Sequence, residues 1–277
     1  MPALARKPYP TDLTDEQWRV LEPELQRPAG PGRPPRLDLR EVINALLYQA
    51  RTGCQWRLLP HDLPDWTAVR YYFDVWTRDG TWEEVNRRLV ELTRQKRGRR
   101  AQPTAALIDS QSVKTTEAGG ERGFDGEKNV KGRQRHFLVD TEGHLLAVLV
   151  EAANRGDREG ARWLLSWVSK RWPELRKLWA DQGYSGDELA ATLRAQYGID
   201  LEVVTRTPDQ KGFAVQPRRW VVERSIAWVN RSRRLGKDYE QRPEATETWC
   251  YLSSIQLLLK RLCPRADQEP PYARKAA

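Results

Sequence analysis

Two short apolar runs in the second half of this chain each end on an aspartate: residues 105–109 (AALID) and 178–181 (LWAD). Apolar runs of this length, flanked by polar residues, read as buried strands. Further strands are predicted at 136–139 and 145–150, joined by the turn Asp140-Thr141-Glu142-Gly143, and at 201–204. Residues 111–132 are polar and glycine-rich and predict a long loop or irregular hairpin. Helical periodicity runs from Asp157 to near Pro173, with Trp163, Leu164, Trp167 and Val168 inward. It returns from Ser185, with Leu189 and Leu193, then over 217–235 and 243–262. The order β-β-β-α-β-α-β-α predicts an α/β fold: one mixed sheet with helices on its faces.

The first hundred residues have a different texture. Thr14-Asp15-Glu16-Gln17 has the spacing of a capping box, followed by Trp18, Leu21 and Leu25 on one helical face. Residues 28–35 (PAGPGRPP) break that helix. A second helix is expected from Leu39, and a third capped by Thr67. After the turn Thr77-Arg78-Asp79-Gly80, a second capping box at Thr81 opens a fourth. Two helices across a short glycine-containing turn suit either a DNA-docking helix-turn-helix or a plain bundle. The basic run 94–100 (RQKRGRR) separates the textures, so the chain divides into a helical region 1–93, a linker 94–103, an α/β domain 104–262 and a flexible tail 263–277. The strand and helix order of the α/β domain is that of RNase H-like domains.

Composition narrows the class without naming a function. Basic residues outnumber acidic ones 47 to 38, and 36 of the 47 are arginine, a bias that suits phosphate recognition. Mean hydropathy of −0.77 argues against an integral membrane protein. No apolar leader is visible at the N-terminus, so a cytoplasmic location is expected. Cys54, Cys250 and Cys263 fit neither a disulfide framework nor a zinc motif.

Three carboxylates stand out by position. Asp109 and Asp181 close predicted strands, where open α/β sheets place their sites. Glu223 lies on a predicted helix whose offsets of −4 and +7 bring Arg219 and Asn230 to the same face. Converging carboxylates can hold two Mg²⁺ or Mn²⁺ ions, which act on phosphodiesters. Singly, each has a plainer reading: a turn or helix cap for either aspartate, a surface salt bridge for Glu223. Their combination on one element order favours the site. His61, His136 and His144 lack metal-ligand spacing; His144 reads as a hairpin surface residue and His136 as strand core. The Trp163/Trp167 pair reads as core. No nucleophile elbow and no P-loop is present in the sequence.

Read together, these segments resemble the DDE transposases of bacterial insertion sequences, the insertion-sequence-five group. The stretch from YPTDLTDEQW to QWRLLP resembles that group's helical N-terminal domain; IDSQSVKT, GEKNVKGRQRHFLVDTEGHLL, WADQGYSG and WVVERSIAWVNRSRRLGKDYE resemble its catalytic core. The resemblance implies that Asp109, Asp181 and Glu223 are the catalytic carboxylates and hold two Mg²⁺ (or Mn²⁺). It implies terminal inverted repeats and target DNA as partners, a homodimer or higher assembly at synapsis, no membrane, and a place at the nucleoid. Arg219 matches the arginine that the wider clan keeps beside its glutamate. Gln216 and Asn230 depart from the clan's tyrosine and basic positions. Arg231, Arg233 or Arg234 could supply the missing charge, and Lys114, Lys131 and Arg133, with Lys128 and Arg135, are candidates for tracking phosphates. Only fourteen residues (205–218) separate the last predicted strand from the Glu223 helix, too few for the large β insertion of some related transposases. Two other readings stay open: a metal-dependent nuclease or resolvase without strand transfer, and a catalytically silent DNA-binding relic.

Overall fold

The computed structural model describes residues 6–25, 37–204 and 219–264. The first helices are α1 (Asp15–Leu21), α2 (Leu39–Thr52), α3 (Trp66–Arg78) and α4 (Thr81–Lys96). Thr14 closes the expected capping box: its hydroxyl accepts from the Gln17 N–H and the Gln17 side chain accepts from the Thr14 N–H, each at 3.2 Å. The other two expected caps move. Asp65 caps α3 by accepting from the Thr67 N–H, and Asp79 accepts from the Thr81 N–H at 3.0 Å, with Gly80 at the capping position before α4. In each case an aspartate two residues upstream is the stronger acceptor, so the threonine donates instead.

The sheet has six strands among the described residues: β1 (Ala105–Lys114), β2 (Gly123–Asp125), β3 (Val130–Asp140), β4 (Leu145–Ala152), β5 (Lys177–Ala180) and β6 (Asp200–Val203). Between and after them come α5 (Asp157–Arg171), α6 (Asp187–Tyr197), α7 (Arg219–Val229) and α8 (Pro243–Leu262). β1 is antiparallel to β3 and parallel to β5, and β6 is parallel to β5. β2 and β4 lie one after the other along the far edge of β3. The mixed, RNase H-like order expected from the sequence is present, with β2 as an addition. Of the two readings given for 111–132, long loop or irregular hairpin, the hairpin is closer: β1 runs on to Lys114 and β3 begins at Val130, with Lys114 opposite Gly132. The helix expected over 217–235 ends at Val229 and is followed by a separate turn at Arg233–Leu235, while 217–218 lie outside the described residues. So do the expected break at 28–35, Gln216, and 265–277 of the tail.

β4 would be a bare edge, and side chains from three helical segments cover it. Its Val150 N–H donates to Glu247 Oε1 at 2.8 Å and its Val148 N–H to the Tyr251 hydroxyl at 3.4 Å, both from α8. Asn86 of α4 donates to the Leu145 carbonyl at 2.7 Å, and the Trp172 indole to that of Leu146 at 3.3 Å. Such covering removes a template for edge-to-edge association. α8 also receives the N-terminal helices: the rings of Trp56 and Phe73 lie 5.7 and 4.7 Å from that of Trp249. One apolar cluster therefore runs from Leu21 and Val42 through Trp249 to Leu107 and Leu164.

The segment expected as a linker, 94–103, begins inside α4. Arg94 sits in the last turn of α4, buried, with Nη1 2.5 Å from Asp140 Oδ2. A local excess of arginine marks a free linker only when its charges have no partner in the fold. Trp163 is corrected: it is 60% exposed, and Leu164, Leu165 and Val168 fill the inner face of α5. No helix is long and apolar enough to cross a membrane among the described residues.

Candidate active site

Asp109 lies mid-strand, because β1 continues past it. Strand neighbours face opposite sides of a sheet. Gln111 receives a 3.1 Å hydrogen bond from Asn230, just past α7, while Ser110 donates to Asp157 at the start of α5 at 2.7 Å. Asp109 and Gln111 thus belong to the α7 face, and Ser110 to the α5 face. Asp181 follows β5, the parallel neighbour of β1, and accepts from the Gly183 N–H at 3.0 Å. Glu223 stands on α7, one turn after Arg219. The Arg219 Nη2 lies 3.3 Å from Glu223 Oε1 and 3.6 Å from Asp181 Oδ2, so one guanidinium bridges the strand end and the helix.

The electrostatics of this cluster are unbalanced. Burial, then the nearby charges of Asp181 and Glu223, push the Asp109 carboxyl up to about 6; the Ser110 N–H and Arg219 pull the other way and do not prevail. One guanidinium faces three carboxylates, leaving surplus negative charge among oxygen-only donors. A hard divalent cation such as Mg²⁺ or Mn²⁺ fits that donor set.

The tightest grouping of possible ligands among the described residues lies elsewhere, at Asp140, Glu142 and His144, with donor atoms within 4.8 Å of one another. Both Asp140 oxygens and Glu142 Oε1 already have cationic or N–H partners, while Glu142 Oε2 and His144 Nε2 are buried without a hydrogen bond. Asp140 receives Arg94, His144 Nδ1 at 2.9 Å, and the backbone N–H groups of Glu142 and His144 at 2.9 Å each. Glu142 lies 2.9 Å from Arg97 and 3.7 Å from Arg99. Burial works to raise the Asp140 carboxyl, but the hydrogen bond and charge of His144, then Arg94, outweigh it and hold it at about 2. His144, expected at the surface, is buried in this clamp.

The candidate DNA-contacting residues divide sharply. Arg133 is fully buried: it pairs with Asp238 at 3.1 Å and donates to the carbonyls of Glu121, Glu240 and Gln241 at 2.8, 2.8 and 2.6 Å. Arg234 is buried against Glu240 at 2.5 Å, and Arg135 is buried with its guanidinium on the Leu235 carbonyl at 2.8 Å. Arg133 and Arg135 hold the segment after α7 onto β3, Arg234 braces that segment on Glu240 and on the Cys54 carbonyl at 3.3 Å, and all three are buried. Lys114, Lys131, Arg231 and Arg233 are exposed, and Asn230 is half-buried.

Position in the sequence did not single out the groups on the α5 face. Gln134 donates 2.6 Å to Asp157 Oδ1 and 2.9 Å to Ser110 Oγ. His136 is buried, with Nε2 3.0 Å from Glu151 Oε1 and Nδ1 3.4 Å from the Tyr184 hydroxyl. Gly160 lets α5 settle onto that imidazole, since an added Cβ would come within 2.3 Å of His136 Nε2. Alternating polar residues on β1 and β3 were the available signal, and over 111–132 they read as a long loop or irregular hairpin.

Comparison with known proteins gives matches to both the helical region and the α/β region. Residues 13–86 match the family described as "Putative transposase of IS4/5 family (DUF4096)", and residues 100–259 match "Transposase DDE domain". "Uncharacterized protein y4sN" of Sinorhizobium fredii is 32% identical over 116 residues, which cover 41% of this chain and 86% of that protein. The "Putative transposase for insertion sequence element IS402" of Burkholderia cepacia is 28% identical over 148 residues, 50% of this chain and 67% of that one. The catalytic core domain of BIV integrase aligns with 62% of this chain and 92% of its own, at 14% identity and a TM-score of 0.34. With the transposase DDE domain matched over more than half of the chain, and the region before it similar to the IS4/5 family model, this chain belongs to the DDE-domain transposases.

Proposed function

We propose that the protein binds the terminal inverted repeats of an insertion sequence, cleaves the element ends and joins the resulting 3′-hydroxyl to target DNA. The observation that carries this is the convergence of Asp109, Asp181 and Glu223 from two strands and a helix, with Arg219 between two of them. These three carboxylates would hold two divalent cations. When bound, such ions activate an attacking water or hydroxyl and neutralise the leaving oxygen of an in-line displacement at phosphorus. Cleavage and joining are both such displacements, so one site serves both. Arg219 holds Asp181 and Glu223 in place until the substrate arrives. Arg231, Arg233, Lys114 and Lys131 offer exposed charge to phosphates, fixing register rather than reading bases. Two element ends must meet, so the working complex contains at least two copies, at the cytoplasmic nucleoid.

The test combines purified protein, Mg²⁺, a labelled duplex carrying the element's terminal repeats and a supercoiled target. Joined products that vanish in Asp181→Ala are expected. Cleavage without joining would make the protein a nuclease, and tight binding with neither activity would make it a silent DNA-binding relic.

A further inference from the structure

We propose that Asp157 is a fourth carboxylate of the same centre, holding a divalent cation together with Asp181 from the opposite face of the sheet. The inference rests on the reading of Asp109, Asp181 and Glu223 given above. An aspartate opening a helix ordinarily faces that helix's own N–H groups. Here Gly156 occupies the capping position and Asp157 is the first helical residue. Its Oδ1 is instead gripped from the sheet, by Ser110 Oγ of β1 at 2.7 Å and Gln134 Nε2 of β3 at 2.6 Å. Two donors on one oxygen fix the direction of the other.

That second oxygen points towards Asp181. A Cβ placed on Gly183 would lie 2.6 Å from Asp157 Oδ2 and 3.2 Å from Asp181 Oδ1, so the two oxygens are separated by no more than the sum of those distances. Gly183 keeps open the gap between two carboxylates. Among the described residues Asp157 has no ion-pair partner, whereas Asp181 and Glu223 share Arg219. The Lys128 ammonium stops at the Ser110 hydroxyl at 3.2 Å, and a carboxylate without an ion pair of its own, aimed at a second carboxylate, is the arrangement a hard cation completes.

The experiment titrates Mn²⁺ into the full chain, without DNA, and follows free Mn²⁺ by electron paramagnetic resonance. Wild type is compared with Asp157→Asn, Asp157→Glu, Asp109→Asn and Asp181→Asn, and circular dichroism checks each fold. Asn at 157 keeps an oxygen for Ser110 and Gln134 while removing the charge. We expect Asp157→Asn to weaken Mn²⁺ binding by about tenfold or more, with Asp157→Glu recovering part of the loss. Wild-type affinity in Asp157→Asn, alongside loss in Asp109→Asn and Asp181→Asn, would overturn the inference and leave the three-carboxylate reading standing. Wild-type affinity in all three would overturn that reading itself. Should Asp157→Asn fail to fold, Ser110→Ala takes its place: severalfold weaker Mn²⁺ binding supports the inference, and unchanged binding overturns it.

Discussion

Asp109 and Asp140 lie a few rungs apart on the β1–β3 ladder, and their carboxyls move in opposite directions, to about 6 and about 2. Burial opposes ionisation at both. Asp140 has a guanidinium, an imidazole and two backbone N–H groups. Asp109 has one backbone N–H at 2.8 Å, one shared guanidinium and two carboxylates for company. The first is a closed structural clamp between α4 and the hairpin; the second is a centre whose charge the chain leaves unbalanced. Acidic residues in close array therefore do not by themselves mark a reactive site, and the difference lies in which positive partners the fold supplies.

The sharpest way to break this contrast is Asp140→Ala. It strands Arg94 and His144 in the core and should lower unfolding free energy by about 3–5 kcal/mol, read from urea midpoints. An unchanged midpoint would mean the clamp holds nothing together. Asp109→Asn should act in the opposite sense, stabilising the protein at pH 7 by up to about 3 kcal/mol while abolishing joining. A destabilised Asp109→Asn would contradict the charge imbalance.

A pH series separates the two residues more gently. Asp109 binds its proton more tightly when folded, so its contribution is full below about pH 4 and is lost as pH rises through about 6. Glu247, pushed up to about 8 chiefly by burial at the β4 edge, loses its contribution in the same sense up to about pH 8. Asp140 does the reverse: its contribution is present above about pH 4 and is lost as pH falls towards about 2. Melting temperature should therefore decline from pH 5 to 8 in wild type, and flatten in Asp109→Asn combined with Glu247→Gln. A decline that survives both changes would assign it to other groups.

The smallest effect is expected at the exposed arginines. Replacing Arg231 and Arg233 by Gln should leave stability within about 0.5 kcal/mol. It should also lower the slope of log affinity for DNA against log salt by about 2. Arg133→Gln, by contrast, should unfold the segment after α7, and an Arg133 variant that folds normally yet binds DNA weakly would reverse the division drawn between these arginines.

Much of the fold was legible because it is set by short-range rules. The Thr14 box and the span of α8 depend on residues three or four apart, and the apolar runs of β4 and β5 stand out against polar flanks. β1 beyond Asp109 and the start of β3 were illegible for a related reason. Their polar residues face the α5 and α7 sides, where the candidate site lies, so alternation of apolar and polar residues fails there. Trp163 shows the limit of composition, since an aromatic at helical spacing lies 60% exposed.

By itself the sequence determined the order of most strands and helices and the helical character of the first hundred residues, and it singled out three carboxylates by position. Only the tertiary structure decided which charges have partners. Arg133 and Arg234 became struts, His144 a clamp, and Asp157 a carboxylate turned from its own helix towards Asp181. The reason is range. Capping and periodicity act within about a turn of helix or a few rungs of strand, whereas Arg133 meets Asp238 and Asp109 comes under the charge of Glu223 across roughly a hundred residues of chain, a distance that only folding closes.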